Sequence, residues 1–225
     1  MSLQVLPFYL VCDESGSMAG VPIESINTAM KDLRNEIGSI PVVADKTRFC
    51  LIGFSDQAEI LLELSDISTV TSVPALQASG GTNYAAAFTT LRKAIGDDVE
   101  RLKKEGHQVF RPAVFFLSDG QPNPGTPWQG EFAMLTDPTW SANPNLLAFG
   151  FGAADEAVIR QVGRERAFIA DNSLSPAAAL SEFAQSLVRS IVNSGTQSAA
   201  DPSGGATLAM PDQVPGFTTI TAPLV

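Results

Sequence analysis

The chain has 225 residues, 44% of them hydrophobic, which is enough for one domain with a substantial core. It carries 14 Lys and Arg against 24 Asp and Glu, a formal net charge of −10 at pH 7. This balance argues against a protein that binds nucleic acid or an anionic membrane, because both need a basic surface, and it is compatible with a cation site.

No apolar run approaches the length of a membrane span, and the first residues lack the basic region of a secretory signal. We therefore predict a soluble, cytoplasmic protein that does not contact a membrane. Cys12 and Cys50 both fall in predicted buried strands. We expect two reduced core thiols rather than a disulfide.

The first apolar run of the chain ends abruptly at acidic and small residues. Residues 7–12 have the length and composition of a buried strand, and Asp13, Ser15 and Ser17 follow at every second position. Such a turn directs one carboxylate and two hydroxyls into one concavity. These oxygens suit Mg²⁺, Mn²⁺ or Ca²⁺ better than Zn²⁺, and no His or Cys lies between them. The turn therefore predicts part of a cation site.

Helical and strand patterns alternate along the rest of the chain. Pro22 and Gly38 mark the ends of a first helix, and residues 47–54 and 58–64 read as two strands. The link between these strands is so short that they must form an antiparallel hairpin. The remaining predicted elements are a helix opened by the turn at 79–83 and closing near Gly106, a strand at 112–117, helical content at 129–135, a strand at 146–151, a short helix capped by Asp155, a strand at 167–170 and a last helix from Ser175 and Pro176.

This alternation predicts an α/β fold: a doubly wound, mostly parallel sheet with one antiparallel edge strand and helices on both faces. We expect the domain to span residues 1–193. From Ser194 onward the composition shifts to Ser, Gly, Ala, Pro and Thr, which is typical of a tail over residues 194–225. The apolar residues that would dock this tail on the domain are Val214, Phe217, Ile220 and Leu224.

Ligands of open α/β sheets bind beyond the carboxyl ends of the strands. Asp119 follows the strand at 112–117, and Thr82 lies on the turn that opens the long helix, so both are expected beside Asp13. Two carboxylates balance a divalent charge, and five oxygens leave one octahedral position for an Asp or Glu of a protein partner. The predicted metal ligands are Asp13, Ser15, Ser17, Thr82 and Asp119.

Three motifs carry a family resemblance: DESGSM after a strand, then SGGTNY, then FFLSDGQP. Together they resemble the von Willebrand factor A-type domain with its metal-ion-dependent adhesion site (MIDAS), over roughly residues 6–192. The resemblance implies that Asp13, Ser15, Ser17, Thr82 and Asp119 fill the family's ligand positions. The motifs LPFYLVCDESGSM, PIESIN and LSDGQP are most similar to those of the bacterial tellurite-resistance branch of the family, the TerY-like proteins. That branch implies kinase or phosphatase partners in stress signalling.

The resulting hypothesis is a non-enzymatic protein-binding module that depends on a divalent cation. Two alternatives stay open: a magnesium-dependent phosphohydrolase that uses Asp13, and a structural domain with an empty site. Enzymatic readings are disfavoured because SGGTNY lacks the lysine or third glycine of a phosphate-binding loop, and His107 is the single histidine. Phosphatases that begin with such a strand-end Asp have a second Asp two residues later, where this chain has Ser15.

Several other residues carry expectations of their own. Glu14 places a third acid beside the site, where it favours metal retention or attracts a second cation. Trp128 and Trp140 either anchor a partner at the rim of the site or are simply buried. Tyr84 and Phe88 are expected in the core at helical spacing. The acids expected to be solvated are Asp45, Asp56, Asp97 and Asp98.

Overall fold

The computed structural model describes residues 4–164, 166–171, 173–174, 178–179, 181–183, 185–186, 189–191, 193 and 213–220. Eight strands are found in this part of the chain: β1 (Gln4–Asp13), β2 (Thr47–Phe54), β3 (Ala58–Ser65), β4 (Gln108–Val109), β5 (Ala113–Ser118), β6 (Asn145–Gly150), β7 (Arg166–Ala170) and β8 (Phe217–Ile220). The helices are α1 (Val21–Gly38), α2 (Pro41–Lys46), α3 (Tyr84–Lys104), α4 (Gln129–Leu135) and α5 (Glu156–Val162). The described residues between 178 and 193 are also helical.

All eight strands form one sheet, in the order β3-β2-β1-β5-β6-β7-β8, with β4 beside the start of β1. The strands from β2 to β7 in this order pair in parallel, which the alternation of strands and helices predicts. The hairpin partner β3 is antiparallel to β2. The predicted fold class, a mostly parallel sheet with an antiparallel edge, is therefore confirmed.

Helices cover both faces of the sheet, because alternate residues of β1 point to opposite sides. Phe8, Leu10 and Cys12 pack in one core with α1 and α2, whereas Tyr9 and Val11 pack in the other with α3, α4 and α5. The centre of the sheet is thus buried on both faces. Both cysteines are buried and free, as expected.

The sequence prediction missed three short elements, α2, β4 and β8. Helix α2 has only 6 residues and follows α1 almost directly. Strand β4 has only 2 residues, and it exists because Gln4 and Val5 offer a parallel edge to Gln108 and Val109. Elements of this length carry too little periodicity to be read from a sequence. The predicted start of the last helix, Ser175 and Pro176, lies outside the described residues.

Part of the C-terminal segment completes the sheet. Strand β8 pairs antiparallel with β7 at the edge opposite β3, so that Ile220 lies across from Ala167. Val214 and Phe217 are buried, and the ring of Phe217 meets that of Phe149 edge-on at 5.8 Å. Leu224, also expected to dock, lies outside the described residues. None of the helices in the described part of the chain has the length and apolar character needed to cross a membrane.

Asp98, expected to be solvated, is instead half-buried on the inner side of α3. It accepts hydrogen bonds from the hydroxyl of Tyr9 in β1 (3.1 Å) and from Arg101 Nη2 (2.9 Å). Burial raises the pKa of the Asp98 carboxyl, and the bonds from Arg101 and Tyr9 only partly offset this. Asp98 is partly buried because it lies on the side of α3 that faces Tyr9 of β1.

We predict that this raised pKa makes folding less favourable as pH rises. Below the ordinary aspartate pKa of about 3.9 the carboxyl is protonated in both folded and unfolded states, whereas above it the folded state resists ionisation. The contribution of Asp98 is therefore present at low pH and lost as pH rises through its folded pKa. Asp98→Asn keeps an acceptor for Tyr9 and removes this titration.

The measurement is the free energy of unfolding in urea from about pH 3.5 to about pH 6.5. Relative to the parent, Asp98→Asn should gain stability across this range. The control is Asp45→Asn, which removes an exposed carboxylate of α2. Identical pH slopes for the two variants would contradict the prediction.

Candidate metal centre

The centre of the candidate site is Asp13, the last residue of β1. This strand lies between β2 and β5, and Asp13 has no exposed surface. Its Oδ1 accepts a hydrogen bond from Ser15 N at 2.8 Å, and its Oδ2 accepts one from Ser118 Oγ at 2.5 Å. Both carboxylate oxygens are therefore held in place by neighbouring donors.

A hydrogen-bonded path runs from this turn to Asp119. The hydroxyls of Ser15 and Ser17 lie 3.0 Å apart, and Ser17 Oγ donates to Asp119 Oδ1 at 2.8 Å. The turn is a short 3₁₀ segment anchored by Met18, which is buried in the core. It brings both serine hydroxyls toward the end of β5.

Asp119 and Thr82 complete the cluster. Asp119 directly follows β5 and is 6% exposed, and Thr82, just before α3, is 7% exposed. A Cβ placed on Gly120 would lie 3.5 Å from Thr82 Oγ1 and 4.0 Å from Ser17 Oγ, so both hydroxyls flank the residue after Asp119. The structure thus brings together all five side chains that the sequence singled out.

The two carboxylates of the cluster are buried, and the part of the chain that the structure describes places no cationic side chain in an ion pair with them. Burial raises the pKa of Asp13, which the bonds from Ser118 and Ser15 only partly offset, and it also raises that of Asp119, offset in part by Ser17. A bound cation would supply the missing positive charge.

The donor set also fits a hard divalent cation. It consists of carboxylate and hydroxyl oxygens, the ligand class that Mg²⁺, Mn²⁺ and Ca²⁺ prefer. No group of three or more His, Cys, Asp or Glu side chains suited to a metal occurs among the described residues. The candidate site differs from such groups because three of its five donors are hydroxyls.

Glu14 does not join the cluster. Its Oε1 accepts from Gln77 N at 2.6 Å, and its Oε2 lies so close to Gly53 that a Cβ there would approach it to 1.9 Å. The side chain is therefore turned over the β1–β2 pair, where Glu59 is a further neighbour. The alternation of side chains after the strand end places Glu14 opposite to Asp13 and Ser15.

Neither tryptophan forms part of the cluster. Trp128 is 3% exposed and packs in the core, with its ring centroid 5.8 Å from Tyr84 and 5.7 Å from Phe88. Trp140 is half-buried beneath the Arg92 guanidinium, which lies 4.8 Å above its ring. Trp128 is therefore a buried core residue rather than a partner anchor at the rim of the site. Tyr84 and Phe88 are core residues, as expected.

Two residues that support the site were missed in the sequence. Ser118, the last residue of β5, donates to Asp13; its only signal is its place before Asp119. Asn123 accepts a hydrogen bond from Thr82 N at 2.9 Å, across 41 residues of sequence. Nothing local distinguishes this asparagine within a loop rich in proline and glycine.

Comparison with known proteins gives the family. A model of the von Willebrand factor type A (VWA) domain matches residues 8–186. The chain belongs to this family. No curated protein matches it.

Solved structures share the fold of this VWA domain at low sequence identity. A von Willebrand factor type A protein from Catenulispora acidiphila has a TM-score of 0.62 at 15% identity, covering 84% of this chain and 43% of that one. The pilus adhesin SpaC from Lactobacillus rhamnosus GG has a TM-score of 0.62 at 15% identity, with coverages of 85% and 31%. Proximal thread matrix protein 1 from the mussel byssus, with a zinc-occupied MIDAS motif, has a TM-score of 0.57 at 17% identity, with coverages of 85% and 48%. This chain spans less than half the length of each.

Proposed function

We propose that this VWA domain binds a divalent cation, Mg²⁺ or alternatively Mn²⁺ or Ca²⁺, and uses it to bind an acidic side chain of a protein partner. The observation that carries the proposal is a pair of buried carboxylates, Asp13 and Asp119, without a cationic partner in the described chain. The proposed ligands are Asp13, Ser15, Ser17, Thr82 and Asp119.

Family membership supports this proposal. VWA domains generally serve as adhesion and interaction modules, and one structural relative carries zinc at its MIDAS motif. That relative makes Zn²⁺ a necessary competitor in any binding experiment. The oxygen-only donor set of this chain favours Mg²⁺ over Zn²⁺.

The loops around the site offer a partner's carboxylate no basic side chain. Neither Lys nor Arg occurs in residues 14–20, 55–57, 77–83, 119–128 or 151–155. An acidic partner would therefore be repelled by the carboxylates of the site unless a cation lay between them. Partner binding is accordingly expected to depend strictly on the metal.

The narrower assignment concerns the partner's identity. We propose a cytoplasmic role in bacterial stress signalling, with a kinase or phosphatase as partner, from the likeness of LPFYLVCDESGSM, PIESIN and LSDGQP to the tellurite-resistance branch. A pull-down from the source cell with and without chelator, with mass spectrometry of the bound proteins, tests it. If the chelator-sensitive partners proved to be neither kinases nor phosphatases, the proposed role in stress signalling would be contradicted. The proposal of metal-dependent partner binding would still stand.

A phosphohydrolase that uses Asp13 as its nucleophile is not favoured. Phosphatases that begin with such a strand-end Asp have a second Asp two residues later, and this chain has Ser15 there. We expect no metal-dependent release of phosphate from generic phosphoesters.

The test of the proposed function is a calorimetric titration of the full chain with Mg²⁺, Mn²⁺, Ca²⁺ and Zn²⁺ in turn. We expect one site per chain that takes Mg²⁺ and Mn²⁺, with heat of binding that disappears in excess chelator. A chain that binds none of these ions would overturn the proposal in favour of a structural domain with an empty site. Phosphate release that is lost in Asp13→Asn would overturn it in favour of the hydrolase.

A further inference from the structure

The segment that carries Thr82 has no secondary structure of its own. Residues 71–83 form neither helix nor strand, although Leu76 and Thr82 are buried. The main-chain groups of such a segment must find partners in neighbouring elements, because no ladder or helix satisfies them. We call residues 76–83 the threonine segment.

An asparagine bonds to both main-chain groups of one residue near each end of the threonine segment. Asn27 of α1 accepts from Leu76 N at 2.8 Å and donates from Nδ2 to Leu76 O at 3.0 Å. Asn123 accepts from Thr82 N through Oδ1 at 2.9 Å and donates its own main-chain N–H to Thr82 O at 2.9 Å. The main chain of Thr82 is thus held on both sides by a single residue.

The middle of the threonine segment is bonded to the turn after β1. Gln77 N and Ser79 N donate to Oε1 and the main-chain oxygen of Glu14 at 2.6 and 2.7 Å, and Gly16 N donates to Gly80 O at 2.9 Å. These bonds fix the segment beside the two serines. None of these three bonds involves Thr82, the residue that supplies the hydroxyl.

The residues on either side of Thr82 bond to the β2–β3 link, Gly81 N to Asp56 Oδ1 at 3.0 Å and Asn83 N to Ser55 O at 2.8 Å. Thr82 itself is joined by Asn123 to the loop that carries Asp119. Gly81 leaves room for this contact, since a Cβ there would lie 2.8 Å from both Oδ1 and Nδ2 of Asn123. We propose that Asn123 is a positioning residue that holds the Thr82 hydroxyl beside the Asp119 carboxylate, so that both reach one cation. This inference rests on the proposed metal site.

The decisive variant is Asn123→Ala, which removes the side-chain acceptor and keeps the main-chain bond to Thr82. We expect Mn²⁺ affinity, measured by calorimetry, to fall about tenfold, as is typical when a group that orients a metal ligand is removed. Hydrogen–deuterium exchange of residues 79–83 should become faster in the metal-free protein. Asn123→Asp keeps an acceptor at the same place and adds a negative charge near the cation, so its Mn²⁺ affinity should be at least that of the parent.

A double-mutant cycle with Thr82→Ala separates positioning from general destabilisation. If Asn123 acts through the threonine hydroxyl, Asn123→Ala should cost no further Mn²⁺ affinity once that hydroxyl is gone.

The matched control is Asn143→Ala, at the amino end of β6, because Asn143 is a buried asparagine whose side chain also bonds to a loop. It accepts from Arg111 Nη1 at 2.9 Å and donates to Asp137 O at 3.1 Å. This variant should lose stability and keep its Mn²⁺ affinity.

Two kinds of failure can be told apart. Unchanged Mn²⁺ affinity in Asn123→Ala, or an equal loss in the Thr82→Ala background, would overturn the role of Asn123 and leave the metal site standing. A parent chain that binds no Mn²⁺ would overturn the proposed function and this inference with it.

Discussion

Asp13→Asn should weaken Mn²⁺ binding by at least about 100-fold. Two unit charges 4 Å apart interact by about 4 kcal/mol at an effective dielectric constant of about 20. Each 1.4 kcal/mol corresponds to about tenfold in affinity, so the loss of one ligand charge accounts for an effect of this size. The substitution keeps the shape of the side chain, and an amide can still bond to Ser15 N and Ser118 Oγ.

The same variant should be at least as stable as the parent in the absence of metal. The parent buries the Asp13 carboxylate without an ion-pair partner in the described residues, and a neutral amide of the same shape avoids that cost. Thermal unfolding in excess chelator measures the metal-free stability of Asp13→Asn, and calorimetry measures its Mn²⁺ affinity. Opposite signs of the two effects would distinguish a ligand from a purely structural aspartate.

Asp32→Asn is the matched control, because it makes the same chemical change on the exposed surface of α1. It should alter neither Mn²⁺ affinity nor metal-free stability by a measurable amount. If Asp13→Asn bound Mn²⁺ as tightly as Asp32→Asn, the metal-centre assignment would have to be withdrawn.

Phe88→Ala should lower the free energy of unfolding by about 3–5 kcal/mol. Phe88 of α3 is fully buried, and its ring centroid lies 5.5 Å from Phe116 in β5, 5.7 Å from Trp128 and 5.1 Å from Phe132 in α4. Truncation would leave a cavity where three elements meet. A loss of this size is a large share of the total stability of a domain, about 5–15 kcal/mol.

Urea unfolding at constant pH checks this prediction, with Phe88→Leu and Met134→Ala as comparisons. Phe88→Leu keeps most of the apolar volume and should cost less than Phe88→Ala. Met134 of α4 is 47% exposed, so its truncation should stay within about 0.5 kcal/mol of the parent. A loss below about 1 kcal/mol for Phe88→Ala would show that this cluster is not a rigid part of the core.

The parts of this protein that local patterns determine were predictable from its sequence. Strand β2 and helix α4 have the predicted bounds, because β-branched runs and helical spacing are properties of consecutive residues. The hairpin between β2 and β3 followed from the length of its link. Asp13, Ser15 and Ser17 were identified because all three belong to one short turn.

Contacts between distant segments were decided by the tertiary structure alone. Ser118 donates to Asp13 across 105 residues, and Asn123 bonds to Thr82 across 41. Such bonds depend on which strands are neighbours and on the path of each loop, and no local period encodes either. The same reason explains why Glu14 turns away from the cluster, why Asp98 is half-buried, and why β4 exists only beside β1.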